Sequence, residues 1–238
     1  MADVAQSVAN VSAGAQVSVD GTLAGASISG NALWVFVSAF NSTDAPVDIT
    51  TVTATGASFT EIETLAMSAS SRWQTSVFLA ENITGQATPI ITANVDASSF
   101  LQIAVVEVES VLAAAVLDAD ASVSAVGTDP TGAGASASAT GLHIFGVVHN
   151  DPGAFTAGSG WTEVLNLDQD GSTRFGVFTR VAAASVSQTP AVTQAVSAQY
   201  AIIHSILKDV GGGGAPTMSF KHRIGVSRPA AFRPGHAR

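Results

Sequence analysis

Leu33-Trp34-Val35-Phe36 is answered by Leu142-His143-Ile144-Phe145, 109 residues further on, and the same register pairs Asn41 with Asn150. The echo continues along the chain. Gly56-Ala57-Ser58-Phe59-Thr60-Glu61-Ile62 matches Gly158-Ser159-Gly160-Trp161-Thr162-Glu163-Val164, and Arg72-Trp73 matches Arg174-Phe175, both at an offset of 102. Thr88-Pro89 returns as Thr189-Pro190, and Phe100, Ile103 and Val106 return as Tyr200, Ile203 and Ile206. Offsets that shrink from 109 to 100 while the order is kept are what a duplication leaves when loops shorten and strands persist. The preserved order favours duplication over chance resemblance between two Ser/Ala/Val-rich segments.

Each half reads as short strands. The first offers 32–41, 47–53, 59–65, 72–81, 90–95 and 100–109; the second offers 142–149, 162–167, 173–181, 191–196 and 200–208. Turn-forming clusters separate them, among them Asn41–Pro46, Asp96–Ser99, Asn150–Gly153 and Asp168-Gln169-Asp170-Gly171. Spacings near ten residues, a Val/Thr/Ser-rich composition and the lack of a 3.6-residue apolar period predict an all-β, jelly-roll-like antiparallel β-sandwich built from two pseudo-repeated halves. Residues 1–210 are expected to form this body, with pseudo-repeats at about 30–109 and 141–209. One sandwich is preferred over two in tandem, because 123–140 reads as a crossing segment rather than a polar linker. The small-residue stretches 9–30 and 121–141 precede each half's first strong strand and are expected to be weakly packed strands and loops at equivalent positions. Ala113-Ala114-Ala115 is a candidate helical turn.

Charge is divided unevenly along the chain. The 219–238 segment holds five basic residues and no acid, whereas the remainder holds four Lys/Arg against 18 Asp/Glu; the body is therefore 4 − 18 = −14 and the segment +5, summing to the net −9. Residues 211–218, opening on Gly211-Gly212-Gly213-Gly214, read as a hinge. An acidic body argues against nucleic-acid binding along its surface. Cysteine is absent, which removes disulfides, thiolate metal sites and cysteine nucleophiles. The first fourteen residues lack the basic and apolar regions of a signal peptide, and no apolar run approaches the ~20 residues that span a bilayer.

Candidate chemistry is sparse. Glu107 and Glu109 stand at i and i+2 on one strand face, an arrangement a glycosidase could use. Glu61 and Glu163 occur in both halves and are therefore expected to make a shared structural contact. His143 and His204 fall inside strands, where a hydrogen-bonded structural role is expected, while His149-Asn150-Asp151 lies at a strand end. Asp168 and Asp170 form a fragment of a calcium loop without its terminal bidentate Glu, and Asp-Gly makes a hairpin turn by itself. No phosphate-binding loop or nucleophile elbow appears, and no cofactor is expected. Trp73 and Trp161 flank predicted turns and are candidates for a sugar-stacking platform.

In the 219–238 segment, Phe220, Lys221, Arg223, Ile224, Arg228, Phe232, Arg233 and Arg238 interleave apolar anchors with cations. Pro229 and Pro234 lower the cost of ordering an extended peptide. This mixture suits docking onto a protein partner better than onto nucleic acid. With Gly-Asn-Ala-Leu-Trp-Val-Phe-Val at 30–37 and Gly-Ser-Gly-Trp-Thr at 158–162, the chain resembles structural proteins of tailed-bacteriophage virions, of the capsid-decoration, head-fibre or minor-tail types. The resemblance implies a non-enzymatic, multicopy or homo-oligomeric virion component, assembled in the host cytoplasm, that docks to capsid or tail subunits through this arm. A host-surface glycan is a further candidate partner; neither nucleic acid nor membrane is implied. A carbohydrate-binding module and a glycosidase-like hydrolase are the alternatives.

Overall fold

Runs of Val, Ile, Thr and aromatic residues become strands throughout. The computed structural model describes residues 1–42, 47–67, 72–169 and 171–210, and among them no helix occurs. In chain order the strands are β1 (Asp3–Val11), β2 (Gln16–Thr22), β3 (Ala32–Phe40), β4 (Ile49–Thr53), β5 (Phe59–Ala66), β6 (Trp73–Ala80), β7 (Ile90–Glu109) and β8 (Leu117–Gly127). They continue as β9 (Ala135–Ser136), β10 (Gly141–His149), β11 (Thr156–Ala157), β12 (Thr162–Gln169), β13 (Thr173–Ala182), β14 (Ser187–Gln188), β15 (Val192–Thr193) and β16 (Ala198–Lys208). The expected all-β antiparallel sandwich of two related halves is what these strands build. The Ala113–Ala115 turn is not helical; Ala115 has φ 54°, and the Glu81 carboxylate accepts the Ala115 and Val116 N–H groups.

The duplication is written in the topology. The first half orders its main sheet β1-β7-β3-β6-β5, and the second orders its sheet β8-β16-β10-β13-β12, strand for strand equivalent. Irregularities coincide as well: β5 bulges between Glu61 and Glu63, β12 between Glu163 and Leu165. Likewise β1 bulges between Val4 and Gln6, and β8 between Leu117 and Ala119. Glu61 and Glu163 thus share a position beside a bulge, opposite Phe78 and Phe178 respectively.

Matching these bulges fixes a register that differs from the one read off the sequence. The ladders place Trp34 with Ile144, Val77 with Val177 and Ala104 with Ile203. Leu33 and Leu142, alike in sequence, face opposite ways: Leu33 packs in the outer cluster with Val35 and Val37, Leu142 in the core between the sheets. A slip of one residue exchanges the faces of a strand. The corrected partners share a face.

The sheets stack so that β1 lies against β12 and β5 against β8. Between them Trp34, Phe36, Val77, Val106, Ile144, Phe175, Val177 and Ile203 form a common core. This lateral order corresponds to a pseudo-twofold axis between the sheets and parallel to the strands. Phe36 lies on that axis, its ring over Gly146, where a Cβ would overlap the ring atoms. Gly146 occupies the position equivalent to Phe36 itself, so the duplicated site holds one ring and leaves no room for a second.

The halves differ outside this core. β7 runs unbroken through Asp96–Ser99, which the sequence presents as a turn; its first part pairs β2 and β4, its second part β1 and β3. Register shifts in the β2 and β4 ladders mark where the strand bends from one sheet into the other. In the second half the 191–196 strand shrinks to β15, and loops cover the outer face around Phe145, Phe155, Trp161, Val192 and Tyr200.

Candidate functional site

The strand ends decide where functional groups can gather. Since β3 and β10 run in the same direction across the core, Phe40 and Asn150 arrive at the same end of the sandwich. There Phe40, Trp73 and Phe100 from the first sheet face Asn150, Gln169, Ser172 and Thr173 from the second, enclosing a cavity of about 350 Å³. That is at the small end of the range for small-molecule sites, roughly 300–1,000 Å³. The pseudo-axis emerges through it: Phe40 is equivalent to Asn150, and Trp73 to Thr173. One duplicated edge became aromatic and the other hydroxyl and amide.

The aromatic wall is rigid. Phe40 packs on Trp73 at 5.2 Å between centroids and on Phe100 at 6.4 Å, and the Arg72 guanidinium lies 5.3 Å over the Phe40 ring. The Trp73 indole N–H donates to Ser38 Oγ at 2.8 Å, so the ring is anchored from behind. Opposite, Gln102 Nε2 donates to Thr173 Oγ1 at 3.0 Å, and the Thr173 hydroxyl donates in turn to Gln169 Oε1 at 3.4 Å. This relay fixes the Oε1 end of the Gln169 amide, and its Nε2 is itself buried. Gln169 is only 4 % exposed, and its Nε2 has no partner among the described residues. Buried amide donors are seldom left so, and each instance calls for an explanation. Asn150 and Ser172 are exposed at the rim, and Ser172 Oγ donates to the Gln169 carbonyl at 2.9 Å.

The other sequence candidates lie elsewhere. Trp161 is not part of a platform with Trp73: it is buried on the far face of the second sheet, edge-on to Phe145 at 4.7 Å, its N–H donating to Thr189 O at 3.3 Å. The two indoles are separated by that sheet because Trp73 belongs to the core between the sheets. Asp168 acts as a turn group, its Oδ1 accepting the Gly171 N–H at 3.0 Å, with Gly171 at φ 67°. Asp170 lies outside the described residues, among which no group of three metal-ligating side chains occurs. The hinge 211–218 and the docking candidates Phe220, Lys221, Arg223, Ile224, Arg228, Phe232, Arg233 and Arg238 also lie outside the described residues.

Glu107 is fully buried, and Glu109 is exposed. The Glu107 carboxylate accepts Gln6 Nε2 at 2.5 Å, Asn31 Nδ2 at 2.7 Å and the Ile28 N–H at 2.8 Å. Its oxygens are spent on fixing the 25–31 loop to β7, which gives no support to the glycosidase dyad. Glu107→Gln, which keeps the shape but turns one acceptor into a donor facing donors, is expected to cost roughly 2–3 kcal/mol. Urea unfolding of the variant measures this; unchanged stability would contradict the structural role.

His143 Nδ1 and His204 Nε2 share a hydrogen bond of 3.1 Å, both residues fully buried. Burial, with Arg180 adding to it against Asp118, lowers His143 to about 4. Burial and the neighbouring His143 lower His204 to about 3, against a backbone bond at Ala133. The two rings hydrogen-bond each other between β10 and β16, and burial favours their neutral forms. No protein family, curated protein or solved structure matches the chain.

Proposed function

We propose that this chain is a non-enzymatic structural protein of a virion, held to a capsid or tail surface by the basic 219–238 segment and presenting its sandwich outward. The observation that carries the reading is the polarity of the body. Lys208, at the end of β16, pairs with Gly141 at the start of β10, and Val210 bonds Ser110 close by. The chain therefore proceeds toward 211–238 from the end of the sandwich opposite to Asn150 and the cavity. β10 spans nine residues, about 30 Å of strand between the two ends. A body held at one end and carrying its cavity at the other is arranged for display. The +5 segment behind a −14 body supports attachment to an acidic partner surface, with several copies on a symmetric assembly.

Removing 211–238 tests this. The 1–210 chain is expected to fold with an unchanged melting temperature, because the four hydrophobic clusters among the described residues are built on strands β1–β16 and the loops between them. It should be missing from assembled particles in a complementation assay. Incorporation of the truncated chain at normal copy number would overturn the proposal.

A further inference from the structure

We infer that the segments 128–140 and 183–191 form a cover over the outer face of the second sheet that acid releases, with the His143–His204 pair beneath it as the trigger. The device is independent of where the chain is attached.

Alternation along β10 and β16 places His143, Phe145, Ile202, His204 and Ile206 on the face turned away from the core between the sheets. Both histidines and Ile202 are nonetheless fully buried. The two segments lie over them. Gly132 stands on Ile202, where a Cβ would come within 3.0 Å of the Ile202 Cγ2. The Ala133 backbone reaches His204, and Ala135 and Ala137 pack on Ile206. Trp161 closes one side, its ring edge-on to His204 at 5.8 Å and its N–H donating to Thr189 O. The segments are bonded to each other: Gly132 N–H donates to Pro190 O at 2.9 Å, Ser185 N–H to Ala137 O at 2.8 Å, and β9 pairs β14. Beneath them β10 and β16 keep their own ladder, so the cover can lift without breaking it.

The hydrogen bond between His143 Nδ1 and His204 Nε2 needs one donor and one acceptor nitrogen. The other nitrogen of His143, Nε2, is buried and has no partner among the described residues. Each added proton therefore enters as a buried charge, and the second leaves two N–H groups facing each other. Arg180 on β13 stands directly across from His143 and opposes that charge; Asp118 on β8 favours it. Asp118 is already engaged by the Ser138 N–H and hydroxyl and by Lys208 Nζ at 4.0 Å. Elsewhere around the pair, Glu163 on β12 is held by Asn166, and His149 sits at the far end of β10 on the Gly127 carbonyl. Asp129 is the only charged residue within the two segments. Lifting the cover rehydrates the charged rings, so proton uptake and opening favour one another.

Because the chain has no cysteine, a single introduced thiol reports opening. Ile202 and Ile203 are adjacent and fully buried but face opposite ways, Ile202 toward the cover and Ile203 into the core between the sheets. Ile202→Cys and Ile203→Cys are prepared separately in the full chain and labelled with a disulfide reagent from pH 7 to 4.5, each rate taken relative to a free thiol at the same pH. The Ile202→Cys thiol is expected to label more than ~10-fold faster at pH 4.5 than at pH 7, since one proton taken up on opening gives up to ~10-fold per pH unit. At pH 4.5 it should also run more than ~10-fold ahead of the Ile203→Cys thiol, because global unfolding exposes both positions alike. Adding His143→Gln and His204→Gln should cut the rise to below ~3-fold. If that variant does not fold, the two thiols in the otherwise unaltered chain still decide. Labelling of Ile202→Cys that changes less than ~3-fold with pH would overturn the inference. So would equal rates at the two positions, or a rise undiminished in the folded glutamine variant.

Discussion

Gly146→Ala is expected to destabilise the body by ~3 kcal/mol, at the upper end of what an added core methyl group costs. The new Cβ would meet Cγ, Cδ1 and Cε1 of Phe36, which are ring atoms rather than a flexible chain end. The ring has little freedom to withdraw. It stacks on Phe175 at 4.9 Å and on Trp34 at 6.0 Å, and the Trp34 N–H is tied to Ser205 Oγ at 3.1 Å. Backbone movement would have to pass into β13 and β16, which flank β10 with nine paired residues each. Phe36→Leu should cost less than the alanine substitution and, combined with Gly146→Ala, should recover more than ~1 kcal/mol of the sum. Urea unfolding of the two single variants and the double variant measures the coupling. Additivity within ~0.5 kcal/mol would show that the ring and the glycine are not in conflict, and would remove the physical reason for the asymmetry on the pseudo-axis.

That asymmetry shows why the duplication was legible while its register was not. Strand-forming composition, turn clusters and the ordered echo between halves point to an all-β sandwich of two related parts. Register is normally pinned by alternation between a buried and a solvated face. β3 is buried at every position from Ala32 to Ala39, and β10 along its whole length. Such strands read as continuous apolar runs, so aligning Leu33 with Leu142 costs nothing in hydrophobicity even though it exchanges the faces. The bulges carry the missing information, and a bulge has no residue signature of its own here: Ile62 and Val164 are ordinary β-branched residues. Asp96–Ser99 misleads for a related reason. Its turn-forming residues lie where β7 changes partners, and the bend is spread along a strand instead of reversing it.

The slips, one residue between β3 and β10 and two between β6 and β13, also concealed the cavity. With Asn41 set against Asn150 and Arg72 against Arg174, both ends look alike and nothing marks a site. In the structural register Phe40 stands against Asn150 and Trp73 against Thr173, the kind of divergence expected where one copy of a duplicated edge has taken on a different task. Trp73 was visible as an aromatic near a turn. Gln169 was not, because its meaning depends on a relay through Thr173 and Gln102, and Gln102 lies on another strand, 71 residues from Thr173.

The second large effect is expected with acid. His143 and His204 are neutral when folded, lowered by burial to about 4 and about 3 from the ordinary 6.5. The unfolded chain therefore binds more protons than the folded one between pH 6.5 and about 4, so stability rises with pH across that window. It is fully present above 6.5 and is lost as the pH falls toward 4. The first proton entering the pair accounts for a loss on the order of 3 kcal/mol, taking 1.36 kcal/mol per unit. His149 acts in the same sense, lowered mainly by burial against its hydrogen bond to the Gly127 carbonyl. Asp118 acts in a lower window: burial works against ionisation, but hydrogen bonds from Ser138 and Ala139 and the charge of Lys208 hold its carboxyl below 3.8. Its contribution is lost only as the pH falls below that value. Urea midpoints at intervals from pH 7.5 to 4.5 should thus decline well above the carboxylate range. Replacing both His143 and His204 with leucine should flatten most of this slope even if the variant is less stable at pH 7, because the slope counts protons whereas the intercept reflects packing. An unchanged slope would mean that protonation of the pair does not drive acid unfolding.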